Sequence, residues 1–420
     1  MTTNQDHSMR HNDTLSWSWN RSYQSVVVHR LIPQPEVVAV VLMKMNILAI
    51  ICIIMTSIAT GRYTPVCTRA QREVEALIGG VVLNTIGKAA HNLVLSKSGL
   101  VAKEVYLPQC GYTMYYHERE AIVDDNDMVG HQDDEANQPT ILFFHGITGR
   151  SEDFAGFIAS LDIPPNVRIL CPEQMGHGRD IANRLRVDPD NYELPTHNRM
   201  LESTSEFLDV VKCGSNTHAF GISLGGAACY YVQHHRPDII KRAVLVSPAI
   251  LSCVDKDLVN GIRAGTNNFC CFESRHDVKL LMRDLSTGRD DYNRKKWDPV
   301  PQFFLESVYR MSKRGAPDGH FRALLLNLLA NTDSPFSSVK DVDEDSHRLV
   351  IWPEKDRIIN YEEGKRFFDV SSSDGDVFVS KSPNTEFESV VDCGHVFHSD
   401  GRGILDIIKP RVRDYLLDFI

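Results

Sequence analysis

The 420-residue chain has no Cys-x-x-Cys spacing, no basic run and no collagen-like or mucin-like bias, and each absence closes a class of function. Its ten cysteines are spread singly apart from the adjacent pair Cys270-Cys271, so the ligand pattern of a structural zinc site is missing. They read as small buried hydrophobes; disulfides stay open if the body is lumenal, and spacing does not choose the partners. Lys and Arg total 45 against 55 Asp and Glu, for a formal charge of −10, and the basic residues are scattered. That balance gives no surface for nucleic acid. No metal and no cofactor is expected. Gly80 to Lys88 lacks the spacing of a phosphate loop and is followed by no Ser or Thr. The acidic run Asp124 to Glu135 lacks the ligand order of a calcium loop and reads as a solvated loop.

What is present falls into four parts. Residues 1–36 are polar, without helical or strand period, and read as a disordered tail. Residues 37–60 form an apolar run long enough to cross a bilayer, interrupted by Lys44 and Asn46. Three readings of it stand side by side. It is an uncleaved membrane anchor in the endomembrane system. Or it is a signal peptide starting at Met43 and cleaved near Ala59, giving a secreted protein. Or it is a buried core helix. The anchor is the preferred expectation, and the membrane is then a partner. Residues 61–102 read as a linker with a short helix from Arg69 to Ile78.

The body, residues 103–420, alternates strands and helices. Lys103–Leu107 and Tyr112–Tyr116 predict a hairpin turning at Cys110-Gly111. Thr140–Phe144 is apolar throughout, as a strand buried on both faces must be. Ser151 is expected to cap a helix carrying Phe154, Phe157, Ile158 and Leu161 on one stripe. Further strands are predicted at Val167–Cys171, Ala243–Val246, Leu349–Trp352 and Phe387–Val391, and a last helix with Pro410 at its start. Between 251 and 339 the alternation fails: helices are expected after Ser274, over Pro301–Lys313 and over Asp318–Asn331. The pattern predicts an α/β fold with a mostly parallel central sheet, helices on both faces and a helical cap inserted at 251–339.

The chemistry centres on Gly221-Ile222-Ser223-Leu224-Gly225. A sharp strand-to-helix turn lifts one hydroxyl above a sheet edge, and flanking glycines leave room for it. Acyl transfer needs a hydroxyl, a base, a group orienting the base, and oxyanion donors. Ser223 is the candidate hydroxyl. Asp356, in the loop after Trp352, is the candidate orienting acid, with Glu354 as the alternative. His395 is the candidate base, with His398 as the alternative. The backbone N–H groups of Ile147 and Leu224 are the candidate oxyanion donors. In the cap, Leu325 and Leu328 are candidates for substrate contact, because the segment Ala323 to Leu329 is too apolar for a solvated helix.

His145-Gly146, Gly176-His177-Gly178, the Ser223 turn, Asp356 and Gly394-His395 together resemble the α/β-hydrolase superfamily over about residues 103–420. A narrower likeness is to membrane-anchored monoacylglycerol lipase-like serine hydrolases, carried by the apolar N-terminal run, the hairpin, Phe272 to Leu285 and Tyr231 to Ile250. Met175, Glu173 and Leu224 depart from the residues frequent in those proteins. The resemblance implies a membrane-associated serine hydrolase of lipid esters. Hydrolysis of small soluble esters, amides or carbon–carbon bonds, and a non-catalytic binding module on the same scaffold, are the alternatives.

Overall fold

The computed structural model describes residues 89–122, 138–181, 193–267, 269–270, 274–286, 309, 319–330, 346–372, 378–380, 384–400 and 402–418. The chain divides into two units, Met1–Pro65 and Val66–Ile420, and the described residues lie in the second. The apolar run at 37–60, the expected helix Arg69–Ile78, the acidic run and all but Tyr309 of the expected helix 301–313 lie outside the described residues. Among the described residues, no helix is long and apolar enough to cross a membrane.

Ten strands form one sheet: β1 (Val101–Leu107), β2 (Tyr112–Arg119), β3 (Thr140–Phe144), β4 (Arg168–Pro172), β5 (Thr217–Ile222), β6 (Ile240–Val246), β7 (His347–Pro353), β8 (Val370–Ser372), β9 (Phe378–Ser380) and β10 (Thr385–Val390). Their spatial order is β1-β2-β4-β3-β5-β6-β7-β10-β9-β8. The six from β4 to β10 run parallel, and the hairpin strands β1 and β2 and the short β8 and β9 extend the two ends antiparallel. The short strands β8 and β9 carry no periodic signal long enough to read from sequence.

Alternation along the buried strands sorts side chains to two faces. Leu142 and Phe144 face a core shared with α2 (His197–Val210) and α3 (Leu224–His235); Ile141 and Phe143 face one shared with α1 (Ala155–Ser160) and α8 (Ile404–Leu417). Residues 89–98 are helical, and Val94 and Leu95 pack against the second core. Between β6 and β7 lie α4 (Lys256–Ala264), α5 (Arg275–Asp284) and α6 (His320–Ala330), and α7 (Tyr361–Phe367) follows β7. Helix α4 was not expected from sequence, although Leu258 and Ile262, one turn apart, are its buried residues. Ser274 caps α5 in a reciprocal box with Asp277.

Two local expectations need correction. The N-cap before Ser151 is Arg150, and Ser151 is buried within a 3₁₀ turn. The reason is a buried demand for its hydroxyl, which lies 2.9 Å from His117 Nδ1 and 3.2 Å from Glu173 Oε2. Pro410 lies inside α8, not at its start, because the helix begins at Ile404 after the N-cap Gly403. Pro410 is exposed, so the carbonyl that its missing N–H leaves unbonded can turn to water.

Candidate active site

The parallel strands all end on one side, and the site is assembled there from their loops. After β5 the chain turns at Ser223 with φ 57° and ψ −122°, a conformation costly for any residue with a Cβ. Glycine is required on both sides. A Cβ on Gly221 would sit 2.2 Å from the Gly225 carbonyl oxygen, and one on Gly225 would sit 1.9 Å from that of Phe144. The turn is pinned by Ser223 N–H donating to the Val246 carbonyl at 2.9 Å. Ser223 is 9% exposed.

The loop after β3 passes directly beside this serine. A Cβ built on Gly146 would lie 3.4 Å from Ser223 Cβ and 3.9 Å from its Oγ. The loop folds back through Gly149 N–H donating to the Gly146 carbonyl at 3.0 Å. Ile147 and Leu224 therefore flank Ser223 from two elements, and neither N–H donates to a protein acceptor among the described residues. Leu224 is the first residue of α3, so its N–H belongs to the donors a helix leaves unpaired at its start.

The loop is held from behind by two imidazoles. His145 Nδ1–H donates to the Gly146 carbonyl at 2.8 Å, so Nε2 is free to accept Gln174 N–H at 3.1 Å. Gln174 Nε2 returns a bond to the His145 carbonyl. His177 packs edge-on, its ring 5.1 Å from that of His145. Burial holds His145 down at about 4 and His177 at about 3, so both are neutral at pH 7. Glu173, raised to about 7 by burial, accepts Arg179 N–H and the Ser151 hydroxyl. These contacts give the His145-Gly146 and Gly176-His177-Gly178 motifs one physical role, the rigidity of the 145–149 turn.

The candidate acid and base come from the ends of β7 and β10. Asp356 Oδ2 lies 2.7 Å from His395 Nδ1, and both residues are buried. Asp356 Oδ1 accepts the N–H groups of Ile358 at 2.8 Å and Ile359 at 2.9 Å, so each carboxylate oxygen is used. This fixes His395 with its proton on Nδ1 and Nε2 able to accept another. Glu354 turns the other way and accepts the Ser389 hydroxyl at 2.9 Å. His398 pairs with Asp400 at 3.0 Å in a surface loop. Asp356 and His395 are thus brought together, and the two alternatives are not part of the pair. Ser223 Oγ makes no hydrogen bond to His395 in this structure; such a bond often tightens only when substrate is bound.

Ser223 lies in the wall of a cavity enclosing about 610 Å³ of empty space, its open mouth included. Ile147, Leu224, Leu325 and Leu328 line it, as do Ile358 and Ile359, whose amides hold Asp356. Sequence reasoning missed Leu251, Leu258, Ile262 and Phe269, which complete an apolar wall. The spacing of Leu258 and Ile262 was the available signal. Helix α5 is also tied to the loop that carries His395: the Leu285 carbonyl, ending α5, accepts Val396 N–H at 2.9 Å and Phe397 N–H at 3.2 Å, immediately after His395. Among the described residues, no cluster of three His, Cys, Asp or Glu side chains is placed to hold a metal ion.

A sequence model described as "alpha/beta hydrolase fold" matches residues 139–265, which hold the 145–149 turn, the Ser223 turn and the first cap helix. The chain has the α/β-hydrolase fold. No curated protein matches it. Among solved structures, it is similar to a candidate lipase from Acinetobacter baumannii AYE, at 16% identity and a TM-score of 0.55, over 79% of this chain and 96% of that one. It is also similar to a membrane phospholipase A described as a bacterial virulence factor, at 13% identity and a TM-score of 0.54, over 89% and 97% of the two chains. A third is the meta-cleavage product hydrolase of Pseudomonas fluorescens IP01, at 16% identity and a TM-score of 0.51, over 75% and 97%. Identities this low establish the shared hydrolase fold and nothing finer.

The buried imidazoles give the protein a predictable acid response. His145, His197 and His218 are held down at about 4 and His177 at about 3, all by burial, against an ordinary 6.5. A group with a lowered folded pKa gives stability that is present above its unfolded value and lost as pH falls through the folded one. Glu173, raised to about 7 by burial, acts oppositely over an overlapping window and is outnumbered. The melting temperature is therefore expected to fall as pH is taken from 7 to 4. The decline should be steeper in Glu173→Gln, which removes one opposing group. Differential scanning calorimetry checks both, and a flat or rising profile over that window contradicts the assignment of neutral buried imidazoles.

Proposed function

We propose that this hydrolase is a serine carboxylic-ester hydrolase that cleaves monoacylglycerol-like lipid esters through an acyl-enzyme. The observation that carries the reading is one juxtaposition. Ser223, held at φ 57°, opens into an apolar cavity whose wall includes the two isoleucines that anchor Asp356, and Asp356 in turn holds His395.

In this reading His395 Nε2 takes the Ser223 proton as Oγ attacks the ester carbonyl carbon. The carbonyl π pair moves onto oxygen, where the N–H groups of Ile147 and Leu224 receive it. The tetrahedral intermediate collapses, breaking the bond to the alcohol oxygen, and His395 gives that oxygen its proton. Water, deprotonated by the same nitrogen, then attacks the acyl-enzyme and releases the acid. The Asp356 carboxylate orients His395 and faces the imidazolium that forms in each half-reaction. The apolar wall favours a long acyl chain over a small polar ester.

The experiment is labelling of the full-length protein with a fluorophosphonate, followed by turnover of esters of rising chain length. Long-chain monoacylglycerols should be the best substrates. Activity confined to short soluble esters or to carbon–carbon cleavage would replace the lipid reading, and a protein that neither labels nor hydrolyses would leave a binding module.

The cap leucines make a sharper prediction. Leu325 and Leu328, on α6, face the cavity. Replacing either with Asn should lower kcat/KM for long-chain esters more than for short ones, by roughly fourfold for each methylene no longer buried. Ratios within each mutant are the measure, because a loss uniform across chain lengths would assign these leucines to packing.

Residues 37–60 are proposed as a membrane anchor that keeps the hydrolase, with its cap at 251–339 and body from 103 onward, at a lipid surface. In eukaryotic cells the protein should resist carbonate extraction. Recovery of a soluble form beginning near Thr60 would instead mark 43–59 as a cleaved signal.

A further inference from the structure

A second, narrower cavity, with about 390 Å³ of empty space when its open mouth is included, adjoins the one that holds Ser223. Met200, Leu201, Ala227 and Tyr231, from α2 and α3, give it an apolar lining. The two cavities share two wall residues, His197 and Leu224. Leu224 begins the helix behind Ser223 and is fixed by the turn. His197 is the first residue of α2, and its Nε2 lies 3.2 Å from the Leu328 carbonyl of α6. A carbonyl only accepts, so Nε2 carries the proton. One side chain of the body is therefore bonded to the cap helix that roofs the ester cavity, at the place where that cavity meets the next.

From this geometry we infer that His197 is the stop that sets the longest acyl chain the site accepts. The inference rests on the serine ester hydrolase reading and adds to it a specificity-determining residue and a route for a longer chain. His197 is 8% exposed, and burial keeps its imidazole neutral at pH 7. A neutral ring can meet the terminal methyl of a chain without the desolvation that an imidazolium would suffer. A chain that fits above the ring is bound along its length. One carbon more must push against a residue locked at both ends, by its helix and by the Leu328 carbonyl. Trimming the ring joins the two apolar spaces, and each further methylene that enters is then worth roughly fourfold in kcat/KM.

The test is the chain-length profile of the full-length protein in detergent, read with p-nitrophenyl esters from C4 to C18. His197→Ala should move the optimum to longer chains, raising the C16 to C8 ratio of kcat/KM by about tenfold or more, the gain of two or more methylenes. His197→Phe should move it to shorter chains. Ala228→Leu fills the second cavity from α3 and should leave the wild-type profile as it is. Combined with His197→Ala, it should return the ratio towards wild type. If loss of the bond to Leu328 unfolds His197→Ala, His197→Asn keeps a donor on a slimmer side chain and should show the same shift. A protein that takes the fluorophosphonate and hydrolyses esters, yet keeps its ratio under the Phe substitution and under either trimming substitution, overturns the inference alone. A wild-type protein that neither labels nor hydrolyses overturns the reading beneath it, and the inference falls with it.

Discussion

Ser223→Ala should lower ester turnover by about 10⁴-fold to 10⁶-fold, the range in which a nucleophile working as part of a unit is lost. The size follows from what the substitution removes. The cavity, the 145–149 turn and the Asp356–His395 pair stay in place, so binding and oxyanion donation persist. What disappears is the covalent route, and with it the hydroxyl from which His395 takes the first proton. The fold should tolerate the change, because Ser223 Oγ carries no hydrogen bond that the turn depends on; the turn is held by its backbone, through the bond to Val246, and by the glycines around it. An unchanged melting temperature beside the lost activity is therefore part of the expected result. A mutant that keeps more than about a hundredth of wild-type turnover would mean that another group attacks the ester, since no triad residue acts so weakly.

Asp356→Asn should cost nearly as much, on the order of 10⁴ in kcat. The effect here is indirect. The carboxylate accepts the His395 Nδ1 proton at 2.7 Å, which leaves Nε2 able to take a proton from Ser223. An amide that turns its NH₂ towards Nδ1 reverses the tautomer and puts the proton on the wrong nitrogen. The other carboxylate oxygen holds Ile358 and Ile359, and the amide oxygen of Asn can do the same, so the loop should keep its shape. If Glu354→Gln proves the crippling change instead, the loop is arranged differently in the working protein, since here the Glu354 carboxylate accepts the Ser389 hydroxyl and not His395.

Much of this site was legible in the sequence, for a physical reason. Buried parallel strands write continuous apolar runs, so Thr140–Phe144, Ala243–Val246 and Leu349–Trp352 give away the strand ends, and chemistry at strand ends is then close at hand. Gly221 and Gly225 are legible because no other residue fits between the turn and the neighbouring carbonyls. The choice between Glu354 and Asp356 was not so firmly written. Both carboxylates stand in one loop, and only the direction in which the backbone leaves β7 sends one to Ser389 and the other to His395. The cavity was less legible still. Its wall draws on six separate stretches, around Ile147, His197, Ser223-Leu224, Ala249 to Phe269, Leu325 to Leu329 and Ile358-Ile359, and no local period announces that they meet. His197 reads from sequence as an ordinary residue at a helix start; its place between two cavities is a property of the packed molecule alone. Ser151 was misread because its buried partners, His117 on β2 and Glu173 in the loop after β4, are distant in sequence.

The central claim is that Ser223 is the nucleophile of a site built at the ends of β5, β7 and β10. It is tested most directly by intact-mass measurement and peptide mapping of the full-length protein after reaction with a fluorophosphonate. The account predicts one adduct per chain, on the peptide carrying Gly221 to Gly225, absent from Ser223→Ala and much slowed in Asp356→Asn. An adduct on a different residue, or ester hydrolysis that continues with Ser223 unmodified, would contradict it.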